Sequence, residues 1–305
     1  MAYGTLKKSH IALIFSNALY GLNFVFYGSI IGHYLTFEQL FTLRVLFTAL
    51  FFMPFIISRS LYIVKAKNFW RIAFVAMLMI FGKQYFLLWG MGYITPIDSS
   101  IVFSFGPIIT LIFAGVLQKS HFSILKIIAL TMGVVGSLLL LFFNNTPQEG
   151  ATIFGYVLIL VSTISMAINT TLIKPVLQDM GTLKVMGWYY VFAAVIVAPL
   201  FWHDIKAIDV GSLPCDVLWQ IAYIVILGTA LPSYLLYYAT ERTTSVHTAL
   251  YCYIQPFVTT LVVMLFYHQP LSRIMMVALS VIFVSIIIEI IVYKRGKLKN
   301  RPLKV

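Results

Sequence analysis

Long apolar blocks separated by short polar or basic connections run through the whole chain. A lipid-spanning helix needs about 20 consecutive, mainly apolar residues. Ten blocks satisfy this, at roughly 10–31, 36–57, 70–92, 96–117, 123–143, 152–173, 182–202, 216–238, 245–267 and 271–293. No connection is long or polar enough to form a separate soluble domain. Residues three, four and seven apart share one face of a helix, and in several blocks the polar residues keep that spacing. Ser16, Tyr20, Asn23 and Tyr27 form a stripe in the first block, and Ser162, Ser165 and Asn169 form one in the sixth. Tyr234, Tyr238 and Glu241 align in the eighth. Thr248, Tyr251, Gln255 and Thr259 align in the ninth, with a weaker counterpart in the fourth at Ser99, Phe103, Gly106 and Thr110. Hydrocarbon offers no hydrogen-bond partners, so these stripes face either neighbouring helices, as interhelical glue, or a wet cavity. The second, fifth, seventh and tenth blocks are aliphatic and aromatic through their centres apart from Arg44, and Gly133 and Gly136 in the fifth predict close helix packing.

The pattern repeats. Adding 149 carries Tyr85, Leu87, Thr95 and Pro107 onto Tyr234, Leu236, Thr244 and Pro256. An offset of 146 carries Ser16 and Asn23 onto Ser162 and Asn169. Pro107 and Pro256 each remove a backbone hydrogen bond in mid-span, which predicts a kink at both. Ten spans divide into five and five, and an odd number turns the second half upside down relative to the first. The expected fold is therefore all-α and integral to the membrane, with ten transmembrane helices as two inverted five-helix repeats. The expected organisation is a first repeat over 1–143, a linker loop at 144–151, a second repeat over 152–293 and a basic cytoplasmic tail at 294–305.

Composition agrees with lipid as the solvent. The 305 residues are 61% hydrophobic and 10% charged, where a soluble domain carries about 25% charged residues. The net charge of +12 raises nucleic acid as a partner, and the placement of the charges removes it. With the N-terminus inside, 17 of the 21 Lys and Arg residues fall in cytoplasmic segments or the tail, and only Lys206 and Arg273 fall outside. Such a skew is a topology signal. It predicts a multi-pass protein of the plasma (inner) membrane with both termini cytoplasmic, and the basic tail can additionally touch anionic lipid. The first apolar run lacks a clear small-residue cleavage site and reads as a retained span. Cys215 and Cys252 are too few for a disulfide framework, and no Cys/His cluster has metal-ligand spacing, so no cofactor or metal is expected.

The run GTALPSYLLYYATERTTSVHTALYCYIQP from Gly228 resembles the second half-domain of EamA-type carriers of the drug/metabolite transporter superfamily. ALYGLNF at Ala18–Phe24 and TLRVLF at Thr42–Phe47 resemble the first-half segments, so the likeness spans nearly the whole chain. The resemblance implies a cavity between spans 1, 3, 4 and spans 6, 8, 9, the set that carries the polar stripes. Relatives often carry a Glu just after spans 4 and 9, in a motif like GERLS, where this chain has Ser120 and Gln269.

Lys83 and Arg44 stand near the middle of spans 3 and 2 with no carboxylate at their depth. A charge there costs about 2.5–3.5 kcal/mol on insertion scales. For Arg44 the expectation is a structural tie to carbonyls or a loop, and the resemblance supports it. Lys83 has two open readings, a structural lysine or a contact for an anionic substrate group or a coupling proton. The expected substrate-binding residues are Lys83, Gln84, Tyr85, Trp89, Asn23, Asn169, Tyr234, Tyr251 and Gln255. The expected function is secondary transport, the export or exchange of a small polar metabolite by alternating access. That metabolite is amino-acid-like or another anionic or zwitterionic compound, and coupling is to protons or a substrate gradient, since no P-loop is present. The alternatives are a non-transporting membrane scaffold or receptor and an integral-membrane enzyme. For the enzyme no catalytic constellation is visible, so none is expected.

Overall fold

In the computed structural model, which describes residues 2–58, 66–118, 124–142, 152–267 and 272–299, the chain is a helical bundle. Nine helices among the described residues are long and apolar enough to cross a bilayer. They are α1 (Lys7–Ile30), α2 (Phe37–Phe55), α3 (Asn68–Met91), α4 (Pro96–Leu117), α6 (Ile153–Met180), α7 (Thr182–Leu200), α8 (Cys215–Arg242), α9 (Ser245–Phe266) and α10 (Arg273–Val292), and the shorter apolar helix α5 (Ile124–Leu140) lies between α4 and α6. The linker at 144–151, Ser120, Gln269 and the end of the basic tail, 300–305, lie outside the described residues. A helix closes its own backbone hydrogen bonds, which is why an apolar chain in lipid adopts it throughout.

The main helix pairings join one half of the chain to the other. α1 lies against α8 and α9, α2 against α7, α3 and α4 against α6, and α5 against α10. Two glycines let α5 pack closely, Gly136 against α10 and Gly133 against α9. A Cβ at Gly133 would run into the Tyr253 ring, and one at Gly136 would meet Ile282 and the Ala278 carbonyl. Apolar residues such as Val116, Trp219, Leu265 and Phe266 are mostly exposed around the bundle, as a lipid-facing surface requires.

Four helices are irregular in mid-course, and the irregularities fall in matching places. α4 breaks at Ser104 and Phe105, directly before Pro107. α9 tightens to a 3₁₀ turn at Tyr251–Tyr253, directly before Pro256. Both begin on a threonine cap: Thr95 Oγ1 accepts from Asp98 N at 3.0 Å, and Thr244 Oγ1 accepts from His247 N at 3.2 Å. α3 widens to a π-helix over Leu78–Tyr85, and α8 does so over Ile226–Ala230. Segments of this kind are frequent at functional sites.

Candidate functional site: a buried cation pair at the seam between the halves

The irregular turns of α3 and α8 expose carbonyls, and side chains from the opposite half take them up. In α8 the α-helical donor to the Gly228 carbonyl would be residue 232, a proline with no N–H. Asn23 on α1 donates its Nδ2 to that carbonyl instead. Ser16 Oγ, two turns earlier on α1, donates to the Pro232 carbonyl at 2.7 Å. In α3 the arrangement recurs from α6. Asn169 Nδ2 donates to the Val75 carbonyl at 2.7 Å, and Ser162 Oγ donates to the Lys83 carbonyl at 2.8 Å. Ser16 and Ser162 are 146 apart and Pro232 and Lys83 are 149 apart, so these two bonds correspond partner for partner. Tyr237 adds a bond to Asn169 Oδ1 at 3.0 Å.

Within this frame the Lys83 side chain enters the centre of the bundle, 5% exposed. Its Nζ sits over the Tyr20 ring, 4.6 Å from the centroid, and 5.5 Å from that of Phe103. Arg44, 3% exposed, places its guanidinium carbon 4.7 Å from the centroid of the Tyr27 ring and donates Nε–H to Thr229 Oγ1 at 3.1 Å. Thr229 is itself part of the π segment of α8 and donates to the Ile224 carbonyl five residues back at 2.7 Å. Among the described residues the recorded ion pair is Arg242–Glu241, and neither central cation has a carboxylate within ion-pair distance. A desolvated cation–π contact contributes about 2 kcal/mol or more, comparable with the roughly 2.5–3.5 kcal/mol that a cation at mid-membrane costs. The rings supply neither a counter-charge nor a hydrogen-bond acceptor, and Arg44 Nη1 is buried without one. Hydroxyls complete the surroundings: Tyr20 and Ser233 are 2.8 Å apart, and Tyr190 approaches the same Ser233 at 3.4 Å.

The remaining expected site residues occupy several settings. Gln84 is buried beside Lys83 in sequence, with no hydrogen-bond partner for Oε1. Gln255 donates to Asn17 Oδ1 at 2.7 Å, on the α1–α9 seam, and its own Oε1 is without a partner. Tyr251 is on the same seam, where its hydroxyl lies 2.5 Å from His10 Nδ1 and its ring 5.3 Å from His247. Tyr85 and Trp89 stand in an aromatic group on α2 and α3. Tyr85 meets Phe37 and Phe41 at 5.4 and 5.3 Å, and Trp89 stacks on Phe37 at 5.7 Å. Tyr234 lines a cleft of about 300 Å³ with Lys8, Ile11 and Tyr238. A larger cleft of about 510 Å³ opens where α1 ends, between Ser29, His33, Thr95, Asp216 and Gln220. Two centres were missed by reasoning on sequence. Tyr189 and Tyr190 on α7 are buried against Tyr20, Ser233 and Tyr237, although α7 lacks a polar stripe. The His10–His247–Tyr251 group joins residues far apart in the chain. The adjacent tyrosines in an otherwise apolar block were the available signal for the first, and the second had none.

Comparison with known proteins bears on what such a frame serves. The model of the EamA-like transporter family matches residues 7–142 and again residues 153–291. No curated protein matches the chain by sequence. A solved crystal structure superposes with a TM-score of 0.73 over 96% of this chain and 98% of its own, at 14% identity. At that identity the likeness concerns the fold alone.

Proposed function

The chain belongs to the EamA-like transporter family, and from that premise we propose that it is a secondary carrier that exports or exchanges a small anionic or zwitterionic metabolite by alternating access. As a multi-pass membrane protein of a transporter family, it meets lipid on its outer faces and a small molecule within. The proposed architecture is ten spans in two inverted repeats, 1–143 and 152–293, joined by the 144–151 linker and followed by the 294–305 tail. The corresponding bonds from Ser16 to Pro232 and from Ser162 to Lys83 support it, because they link the halves in the same way from both sides. The skew of Lys and Arg supports an inner-membrane protein with both termini cytoplasmic. No reaction on the substrate is part of the proposal. Coupling is to a proton or a substrate gradient.

One observation carries the substrate charge: Lys83 is buried at the seam of the halves, faced by rings and hydroxyls and paired with no described carboxylate. A negative group on the substrate supplies the missing partner, and desolvated charges interact far more strongly than in water. The proposed binding residues are Lys83, Gln84, Asn23 and Asn169 at the centre, with Tyr85, Trp89, Tyr234, Tyr251 and Gln255 along the approaches. The test is substrate-dependent counterflow in proteoliposomes with labelled candidate metabolites. Lys83→Met abolishes transport while the protein remains folded and inserted, and Lys83→Arg keeps part of it, since charge is retained and shape is not. Normal transport by Lys83→Met would remove the argument for substrate charge. Reporters after Lys119 and after Lys299 report cytoplasm and one within 144–150 reports the outside; an outside signal at either lysine ends the ten-span topology.

A further inference from the structure

Arg44 was expected to tie to carbonyls or a loop, and its one recorded hydrogen bond goes to a hydroxyl of the other half. A guanidinium that only held the fold would spread its five donors over carbonyls and carboxylates. Here one hydroxyl, Thr229 Oγ1, takes Nε–H, one ring covers the flat face, and Nη1 is buried with no hydrogen-bond partner. Leaving such a donor unsatisfied in the interior is costly, and more so for a charged group. Lys83 is in the same position, with two rings and no anion. The two cations share a wall. Their rings, Tyr20 and Tyr27, are seven residues apart on α1, hence on one face and about 10 Å apart along its axis. For the ammonium of a zwitterion the described centre offers neutral acceptors such as Gln84 Oε1 and Asn23 Oδ1, both buried without a partner, and no counter-charge. No described carboxylate pairs with the centre, and the faces of Tyr20 and Tyr27 are already taken by the protein's own cations.

We infer that the substrate carries two negative charges, one met by Lys83 and the other by the free edge of Arg44. The inference rests on the proposed carrier function and narrows it: Arg44 becomes a specificity-determining residue, and a neutral or zwitterionic amino acid is a poor ligand. Dicarboxylates and phosphate monoesters share the required chemistry. Tyr20, Tyr190 and Ser233 add neutral hydroxyls that can turn to donate to anionic oxygens, whichever end they meet.

The experiment compares ligands that differ in one charge. Purified full-length protein is titrated with succinate, butyrate, glycerol 3-phosphate and alanine, with thermal stabilisation as the readout, and the same compounds are then used as counter-substrates in liposomes. Close charge pairs couple by about 1.5 kcal/mol or more, so at least one dianion binds about tenfold more tightly than butyrate or alanine. Preference for succinate assigns the dicarboxylate class, and preference for glycerol 3-phosphate assigns the phosphate class. Arg44→Gln reduces that preference to near unity while Lys83 still supports binding of the monoanion, and Arg44→Lys restores part of it. Butyrate or alanine binding the unaltered protein as tightly as both dianions overturns the inference, and this arm needs no variant to fold. Arg44→Gln keeping the full preference overturns it as well. If Lys83→Met abolishes transport while the unaltered protein prefers a monoanion or zwitterion, the carrier reading stands and only the dianion inference falls. If Lys83→Met transports normally, the substrate-charge argument beneath both is lost.

Discussion

α3 and α8 are the same helix twice in their backbones and different helices in their side chains. Each has a π segment in mid-course, and each offers a carbonyl, at Lys83 or Pro232, to a serine of the other half. At the position where α3 carries its lysine, α8 carries proline. The surroundings differ in step with it. Tyr20 and Tyr27 correspond, at the 146 offset, to Met166 and Ile173, and Phe103 corresponds, at 149, to Cys252. The cation and the rings that face it are thus present together in one half and missing together from the other. A duplicated frame was kept where it organises the backbone and allowed to diverge where it holds charge. Backbone geometry and ligand chemistry are therefore separable in this molecule, and mutations can take them apart.

The largest effect is expected from the asymmetric element. Lys83→Met reduces counterflow to background, while Pro232→Ala, at the corresponding site, leaves most of it; equal losses from both would show that the frame and not the charge is what matters. Next come the asparagines. Asn169→Leu strands the Val75 carbonyl and the Tyr237 hydroxyl, and Asn23→Leu strands the Gly228 carbonyl alone. At about 1–3 kcal/mol for each buried unsatisfied group, Asn169→Leu lowers the melting temperature in detergent more than Asn23→Leu does. A double-mutant cycle sharpens the point. Pro232→Ala returns an N–H to the turn, so Asn23→Leu costs about 1 kcal/mol less in that background than in the native one. The smallest effects test the likeness itself. Ser16→Ala and Ser162→Ala each remove one matched bond and each cost about 1 kcal/mol; a clear inequality would mean that the two frames bear unequal strain.

Much of this was readable in the chain. Thr95 and Thr244 announce helix starts because a threonine oxygen caps the third amide onward, and Pro107 and Pro256 announce the breaks because proline lacks a donor. Both are local effects and survive as spacing. The π segments are different. In α8 Pro232 marks the missing donor to the Gly228 carbonyl, but the donor that replaces it, Asn23, stands 205 positions away and leaves no local trace. The partner of Arg44 was hidden for the same reason: a tie to carbonyls or a loop was expected, and the recorded bond runs to the Thr229 hydroxyl, 185 positions on. Tyr190 was overlooked because one hydroxyl in an apolar helix makes no stripe.

The cation–ring contacts also bear on the order in which the protein is made. Synthesis runs from the N-terminus, and early segments fold before later ones exist. α1 emerges first and brings Tyr20 and Tyr27 into the bilayer ahead of both charges. When Arg44 and then Lys83 follow, each finds an aromatic face already waiting on α1, long before Thr229 or Ser233 has left the ribosome. The nascent first half thus carries its own partial shelter for the two residues least suited to hydrocarbon, which the second half later extends through Thr229.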